Sequence, residues 1–222
     1  MVNRTVQSTA EDDNKLAVTF GPSPFLDKPT EKEQQITTGE TEKLAVCVGR
    51  KPNSDGLGLD NIGVETDKVG GVIVNDKMQT SAANVYAIGD LLGPARVMLA
   101  HVASTEGEIA VENCFEADKV MVYDHIPGAI FTSPEIGNIG LSEREAREKY
   151  NNVRGDSVLF RTSGKAQVLG EIAGQAQIVS DGDSGKILGV HIAGAHATDL
   201  LGEARLAITM GASVKDLAKT IH

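Results

Sequence analysis

The stretch Val85-Tyr86-Ala87-Ile88-Gly89-Asp90 decides how the rest of this sequence is interpreted. It is a short, almost entirely apolar run that ends on a glycine and a carboxylate. Such a run predicts a strand that is buried on both faces of a parallel sheet. Gly89 lets the backbone pass close to a neighbouring group. Asp90 places hydrogen-bond acceptors at the carboxyl end of the strand, where ligands bind in open α/β sheets.

A helix is predicted to begin at Met98-Leu99-Ala100-His101, because apolar residues recur from there at roughly helical spacing. These residues are Leu99, Val102, Ala103, Ala110 and Cys114. The first N–H groups of a helix lack intrahelical partners, and the helix dipole is positive at that end. The pattern therefore indicates a cleft for a ligand that has hydroxyl groups for Asp90 and a delocalised negative charge for the helix N-terminus.

Together, these two motifs resemble the second FAD-binding motif of the pyridine nucleotide-disulfide oxidoreductases, a family of flavoproteins. The resemblance implies that Gly89 and Asp90 belong to the FAD site, with Asp90 on the ribitol. It also implies that the backbone of Met98-Leu99-Ala100-His101 meets the pyrimidine end of the isoalloxazine. A reduced flavin is anionic near N1, and a helix N-terminus stabilises an anion by roughly 0.3–1 kcal/mol.

Composition and charge limit the function classes. The chain has 222 residues, of which 41% are hydrophobic, and a formal net charge of −10. We therefore expect no binding to nucleic acid or to anionic membranes. Cys47 and Cys114 form neither a C-x-x-C motif nor a spaced ligand set, so no metal site is predicted and both are interpreted as small buried hydrophobes. The expected location is a reducing compartment, either the cytoplasm or the mitochondrial matrix.

Residues 1–83 are interpreted as the end of an NAD-binding domain. Alternating runs at Val2–Val6 and Leu16–Phe20 predict an antiparallel hairpin, and the charged stretch 31–42 predicts a surface excursion. The run 43–50 predicts another buried parallel strand, which ends on a glycine. This run resembles the last strand of the family's NAD domain, and the resemblance implies that Gly49 lies near the nicotinamide.

Two signatures of the family are missing from the sequence. The family binds FAD and NAD with one G-x-G-x-x-G loop each, because only glycine lets the backbone reach the pyrophosphate. Neither loop occurs here, and the C-x-x-x-x-C redox disulfide is also absent. The resemblance thus covers nearly all of this chain but only about the C-terminal half of the family. Residues 84–123 would supply the FAD-contacting strand and helix.

Residues 124–222 predict an antiparallel sheet covered by helices. The expected strands are 129–131, 136–141, 156–161, 176–179 and 186–192. Capping boxes are expected at Ser142 and Ser213, and an apolar helix face over 200–208 ends before Gly211. This half resembles the family's dimerisation domain, which implies a homodimer formed through residues 124–222.

The expected fold class is therefore α/β followed by α+β, with the end of a Rossmann-type domain preceding a dimerisation domain. The resemblance implies an oxidoreductase that passes electrons from a dithiol through FAD to NAD. Met98-Leu99-Ala100-His101 and Leu201-Gly202-Glu203 favour the branch that oxidises dihydrolipoamide, which implies a 2-oxoacid dehydrogenase complex as a partner. Mercuric and glutathione reductases stay open as alternatives.

No catalytic residue is expected within this segment. In the family, a redox disulfide and an acid–base His–Glu pair carry the chemistry. Thr220-Ile221-His222 matches only the start of the family's H-x-H-P-T stretch, so His222 is not assigned the acid–base role. We expect no turnover by this chain alone, and the family's N-terminal half is an expected partner. The alternative function is a non-catalytic dimerisation module without a cofactor.

Overall fold

The computed structural model describes residues 3–12, 15–26 and 28–221, and the chain divides into two compact units, residues 1–50 and 51–222. The elements of the first unit are β1 (Arg4–Asp12), β2 (Lys15–Pro22), α1 (Glu31–Gln34) and β3 (Thr37–Thr41). Its three strands form an antiparallel sheet in the order β1-β2-β3. The predicted hairpin between the first two strands is confirmed; Val2 lies outside the described residues.

The predicted surface excursion over 31–42 is wrong in part. It contains a single helical turn with a capping box at Thr30 and the strand β3, which pairs with β2 over Leu16–Phe20. The strand lies at the edge of the sheet and its sequence is polar, TTGET. An edge strand with little buried surface needs no apolar alternation, so hydrophobic patterning does not detect it.

The predicted buried strand over 43–50 is also wrong. These residues form neither a helix nor a strand, and the side chains of Val46 and Val48 are 73% and 88% exposed. Gly49 is exposed as well. A buried parallel strand requires parallel neighbours, whereas the described residues of this unit form only an antiparallel sheet.

Residues 51–123 pack around one long helix, α2 (Ala100–Cys114), and two 3₁₀ helices, Leu59–Ile62 and Gly89–Ala95. The buried core residues are Val64, Val72, Met78, Ala87, Leu92, Val102, Ala110 and Met121. Isolated antiparallel bridges connect the loops, such as the bridge between Gln79 and Tyr86. The predicted start of α2 is confirmed, with Leu99 as its N-cap.

The parallel strand predicted over 85–90 is absent. Tyr86 forms a single antiparallel bridge, the Ala87 N–H donates to the Met78 carbonyl at 3.1 Å, and a 3₁₀ helix begins at Gly89. Ala87 is buried, but Ile88 is 39% exposed. A short apolar run is compatible with several kinds of buried backbone, so periodicity alone could not decide between them.

Both cysteines are exposed, so their interpretation as buried hydrophobes is wrong. Cys47 lies in the exposed segment 43–50. Cys114 is the last residue of α2, whose buried positions are Val102, Glu106 and Ala110. Each step of four residues rotates the side chain by about 40° around a helix, so the next step after Ala110 leaves the buried stripe.

The remaining residues form a five-stranded antiparallel sheet with helices, as predicted. Its strands are β4 (Gly128–Ile130), β5 (Glu135–Gly140), β6 (Val153–Leu159), β7 (Gly174–Asp181) and β8 (Ile187–Gly194), in the order β4-β5-β8-β7-β6. The helices are α3 (Glu143–Lys149), α4 (Gly164–Leu169), α5 (Leu201–Thr209) and α6 (Val214–Lys219), and residues Phe160–Thr162 form a 3₁₀ turn. The sequence analysis missed α4 and started β6 too late. Among the described residues, no helix is long and apolar enough to cross a membrane.

The sheet has a separate core on each face. On one face, α5 packs against β5 and β8 through Ile139, Ile187, Val190, Ile192, Ala197, Leu201, Ala204 and Ile208. On the other face, α3 contributes Ala146, which clusters with Val153, Val179 and Leu188. Gly211 has a φ of +67° and follows Met210, the C-cap of α5, so the predicted glycine at the C′ position is confirmed.

Ile139 of β5 is fully buried, so we expect Ile139→Ala to lower the free energy of unfolding by about 2–5 kcal/mol, since the truncation leaves a cavity. Urea denaturation followed by circular dichroism measures this. Ile136→Ala on the same strand is the matched control, because that side chain is 40% exposed and its loss should be smaller. Equal losses for the two variants would contradict the assigned core.

The capping boxes of α3 and α6 are confirmed. Ser142 Oγ accepts the Glu145 N–H, and the Glu145 carboxylate accepts the Ser142 N–H at 2.9 Å. The hydrogen bonds from Ser142 hold the pKa of Glu145 below its ordinary value of 4.5. Ser213 and Asp216 repeat this arrangement at α6, where the pKa of Asp216 is lowered by the same kind of contact.

A lowered folded-state pKa means that Glu145 stabilises the fold above its unfolded value of 4.5, and that this contribution is lost as the pH falls through the folded value. We therefore expect Ser142→Ala to lower stability at about pH 6 and to flatten the further loss of stability as the pH falls below about 4.5. Denaturation midpoints across this range measure the effect. Glu145→Gln should flatten the same acid limb, and an unchanged limb in both variants would contradict the capping assignment.

Candidate flavin-binding site

The candidate site is built around a turn at Gly89. This residue opens the 3₁₀ helix over 89–95 with a φ of +71°, in the left-handed region that favours glycine. A Cβ placed on Gly89 would come within 3.2 Å of the Ala103 Cβ. The turn therefore lies directly against the first turns of α2, and a side chain at Gly89 would press on that contact.

The N-terminus of α2 faces the site without a side-chain cap. Its N-cap, Leu99, has an extended backbone, and its carbonyl accepts the N–H groups of Val102 and Ala103, both at 3.0 Å. The first turn carries no acidic residue. The partial positive charge of the helix end is thus not neutralised by a carboxylate within that turn, and it is available to stabilise an anion.

The structure brings most of the predicted cofactor residues together within the second unit. Gly89-Asp90 and Met98-Leu99-Ala100-His101 all belong to the second unit, where the 3₁₀ helix packs against α2. Gly89, Asp90, Met98 and Leu99 are half-buried, whereas Ala100 and His101 are exposed. Gly49 lies in the first unit, exposed and with a φ of +101°.

A cleft of about 500 Å³ opens beside the start of α2. Val97 and Leu99 line one side, and the segment 123–128 with parts of β5 and α3 lines the other. The lining is mostly apolar. It includes the aromatic side chains of Tyr123 and Tyr150 and the ammonium group of Lys149. The helix start therefore borders a concave surface large enough for part of an organic ligand.

Sequence analysis missed Glu106, the charged side chain that the described residues bury most deeply, with 1% exposure. One oxygen of its carboxylate accepts the Gly89 N–H at 2.7 Å, and the other accepts the Tyr123 O–H at 2.6 Å. The signal was present, since Glu106 lies midway between Val102 and Ala110 on the buried stripe of α2. A carboxylate inside an apolar stripe indicates a paired, buried group.

Tyr123 is surrounded by charged groups. Burial raises its pKa well above the ordinary value of 10, and the hydrogen bond to Glu106 adds to this rise. The Arg96 guanidinium lies 4.9 Å from the centre of the Tyr123 ring and opposes the shift. Arg96 in turn pairs with Asp76 at 3.1 Å and donates to the Val74 carbonyl at 3.3 Å. Tyr123 therefore stays protonated and donates to Glu106.

Two family models match the chain. The one described as pyridine nucleotide-disulphide oxidoreductase covers residues 3–107, and the one described as the dimerisation domain of the same proteins covers residues 126–222. The chain belongs to the pyridine nucleotide-disulphide oxidoreductase family. The resemblance found in the sequence is thereby confirmed.

Curated relatives place the chain within this family. It is 43% identical to a dihydrolipoyl dehydrogenase of Thermus scotoductus, over 82% of this chain and 39% of that protein. It is 41% identical to the enzyme of the same name from Bacillus subtilis, over 86% of this chain and 40% of that protein. A mitochondrial dihydrolipoyl dehydrogenase of Pisum sativum is 38% identical, over 82% of this chain and 36% of that protein. The chain thus spans about two fifths of the length of these relatives.

Solved structures confirm the fold. The HOCl-induced flavoprotein disulfide reductase of Escherichia coli matches 98% of this chain and 47% of its own with a TM-score of 0.82 at 18% identity. LpdA of Mycobacterium tuberculosis matches 99% of this chain and 45% of its own with the same TM-score of 0.82, at 22% identity. The expected fold class of this family, with a dimerisation domain that follows nucleotide-binding elements, is confirmed.

We expect Gly89→Ala to destabilise the second unit by about 1–2 kcal/mol, because alanine is strained at a left-handed φ and its Cβ would press on Ala103. Thermal or urea denaturation measures this. Gly202→Ala is the matched control, since Gly202 lies in α5 with a helical backbone and open space around its Cα. That variant should be neutral or slightly more stable, and equal losses in both would contradict the tight turn.

Proposed function

We propose that this chain is a portion of a flavin-dependent dihydrolipoyl dehydrogenase and supplies part of its FAD site and its dimer interface. The observation that supports this most is the contact between the Gly89-Asp90 turn and the uncapped N-terminus of α2. That arrangement combines a carboxylate for hydroxyl groups with a helix end for negative charge. The names of the curated relatives favour this branch of the family over mercuric or glutathione reductases.

The turn and the start of α2 fit FAD in three respects. Gly89 keeps the backbone free of a side chain where the turn packs against Ala103 of α2. Asp90 is half-buried at the opening of the 3₁₀ helix and would accept hydrogen bonds from ribitol hydroxyls. The backbone of Met98-Leu99-Ala100-His101 leads into a helix end that favours an anion, such as the pyrimidine end of a reduced isoalloxazine.

Bound FAD would supply two-electron transfer between a substrate dithiol and NAD. The residues of this chain bind and orient it. Asp90 would fix the ribitol, the amides of α2 would stabilise negative charge, and Gly49 is proposed to lie near the nicotinamide. No described residue is assigned a proton-transfer role. His222, matched to the first histidine of the family's acid–base stretch, lies outside the described residues.

This chain cannot form the family's redox disulfide by itself. Its two cysteines are Cys47 and Cys114, which do not have the C-x-x-x-x-C spacing. We therefore propose that turnover requires residues beyond these 222, namely the family's N-terminal half. The division into an NAD-domain remnant over 1–83, an FAD-contacting region over 84–123 and a dimerisation domain over 124–222 stays a prediction.

The homodimer is proposed to form through residues 124–222. The match to the family's dimerisation domain supports this, and so does the exposed apolar surface of α5 and its C-cap, where Leu206 is 62% exposed and Met210 75% exposed. A 2-oxoacid dehydrogenase complex is a further proposed partner. The compartment, cytoplasm or mitochondrial matrix, is proposed from relatives that include bacterial and mitochondrial proteins.

The test is a visible absorption spectrum of the gene product that carries this chain, purified at its native length. We expect a flavin band, and we expect Asp90→Ala to weaken FAD binding by about 10–100-fold, because hydrogen bonds to a charged group contribute about 1.5–3 kcal/mol. Asp55→Ala, which removes an exposed carboxylate elsewhere in the same unit, is the control.

A colourless but dimeric product would contradict the flavin assignment and would favour the alternative, a dimerisation module without a cofactor. Analytical ultracentrifugation of the same sample separates these outcomes. Retention of flavin by Asp90→Ala at the wild-type level would contradict the assigned role of Asp90.

A further inference from the structure

Glu106 is a buried carboxylate that no step of the proposed chemistry uses. It lies in the middle of α2, 1% exposed, and each of its oxygens has a donor. Burying a carboxylate is unfavourable unless strong hydrogen bonds compensate for the lost hydration. The donor atoms Gly89 N and Tyr123 Oη lie 2.7 Å and 2.6 Å from the two carboxyl oxygens, which is hydrogen-bond distance. The cost of burial is therefore offset by two specific contacts.

The first contact fixes the Gly89 turn. Gly89 donates its N–H to Glu106 in the conformation with φ of +71°, where the turn packs against Ala103. Without this acceptor, a half-buried amide at the turn would lose its partner, and the next residue, Asp90, would no longer be held in one orientation. The bond also ties the turn to α2 about two helical turns beyond its N-terminus. The two parts of the flavin motif are thus fixed to one another.

The second contact extends this connection to the segment that enters the dimerisation domain. Tyr123 precedes the matched domain at residue 126 by three positions. Its hydroxyl is bonded to Glu106 and its ring lies under the Arg96 guanidinium. Arg96 belongs to the loop between the two parts of the flavin motif and is held by Asp76. Glu106 therefore connects the turn, the helix and Tyr123.

We propose that Glu106 is a positioning residue of the flavin site, which holds the Gly89-Asp90 turn in register with the N-terminus of α2, and that Tyr123 fixes the carboxylate in that role. This inference rests on the proposed function. It assigns to Glu106 no contact with the cofactor. It predicts that FAD affinity depends on the hydrogen bond to Gly89 rather than on the negative charge of Glu106 as such.

Three variants test this prediction in the native-length gene product. Glu106→Ala removes both hydrogen bonds. Glu106→Gln keeps an acceptor for Gly89 and offers an amide N–H to Tyr123, so it should rescue positioning although the charge is gone. Glu108→Ala removes an exposed carboxylate of the same helix and is the matched control. Tyr123→Phe is a milder variant that keeps the ring in place if Glu106→Ala does not fold.

Two readouts separate positioning from general stability. Amide hydrogen exchange of Gly89, measured by NMR or mass spectrometry in the flavin-free protein, reports the hydrogen bond directly. The dissociation constant for FAD, measured by fluorescence, reports the site. We expect Glu106→Ala to accelerate exchange at Gly89 and to weaken FAD binding, each by about tenfold or more. Glu106→Gln and Glu108→Ala should stay within about threefold of the wild type in both readouts, and Tyr123→Phe should be intermediate.

Several outcomes would overturn the positioning role. One is a folded Glu106→Ala protein that binds FAD at the wild-type level; another is a Glu106→Gln protein that is as defective as the alanine variant. If Glu106→Ala does not fold, the Tyr123→Phe variant decides. The positioning role would then be overturned if this variant kept both the wild-type exchange rate at Gly89 and the wild-type affinity for FAD. A wild-type product without flavin contradicts the proposed function, whereas loss of flavin by Asp90→Ala but not by Glu106→Ala contradicts only the present inference.

Discussion

The contact between the Gly89 turn and α2, closed by the Glu106 carboxylate, is the constraint on which residues 51–123 depend. Residues 51–123 have no extended sheet to satisfy their backbone groups, and they rely on isolated bridges and short 3₁₀ helices around α2. In this region, a buried carboxylate accepts one backbone N–H and one phenolic O–H, and so connects the Gly89 turn, α2 and Tyr123. The irregular backbone of the candidate site can then keep one shape.

The dimerisation domain is stabilised in a different way. Its five-stranded antiparallel sheet buries aliphatic side chains on both faces, against α5 on one and α3 on the other. Capping boxes and a left-handed glycine define the ends of its helices through local contacts. Regular elements with local end signals and a core on each face of the sheet stabilise this domain, in contrast to the irregular backbone of residues 51–123.

This contrast explains where prediction from sequence succeeded. In residues 124–222 the strands β5 and β8, the Ser142 capping box and the helix-ending Gly211 were each predicted from local sequence. In residues 1–83 the apolar run 43–50 was predicted as a buried strand, although the structure leaves it exposed. Its apolar character indicates that it is suited to burial, but burial requires neighbouring strands, and those are not a property of the run itself.

The sequence by itself determined the family, the start of α2 and the pair of motifs at Gly89-Asp90 and Met98-Leu99-Ala100-His101, because residue type and spacing carry that information. Only the tertiary structure decided that 85–90 is not a parallel strand and that Cys114 is exposed. It also placed Glu106 against the Gly89 turn and Tyr123 against Glu106. Those two side chains lie 17 and 34 residues beyond Gly89, and their meeting depends on how the chain folds back on α2, which no local pattern specifies.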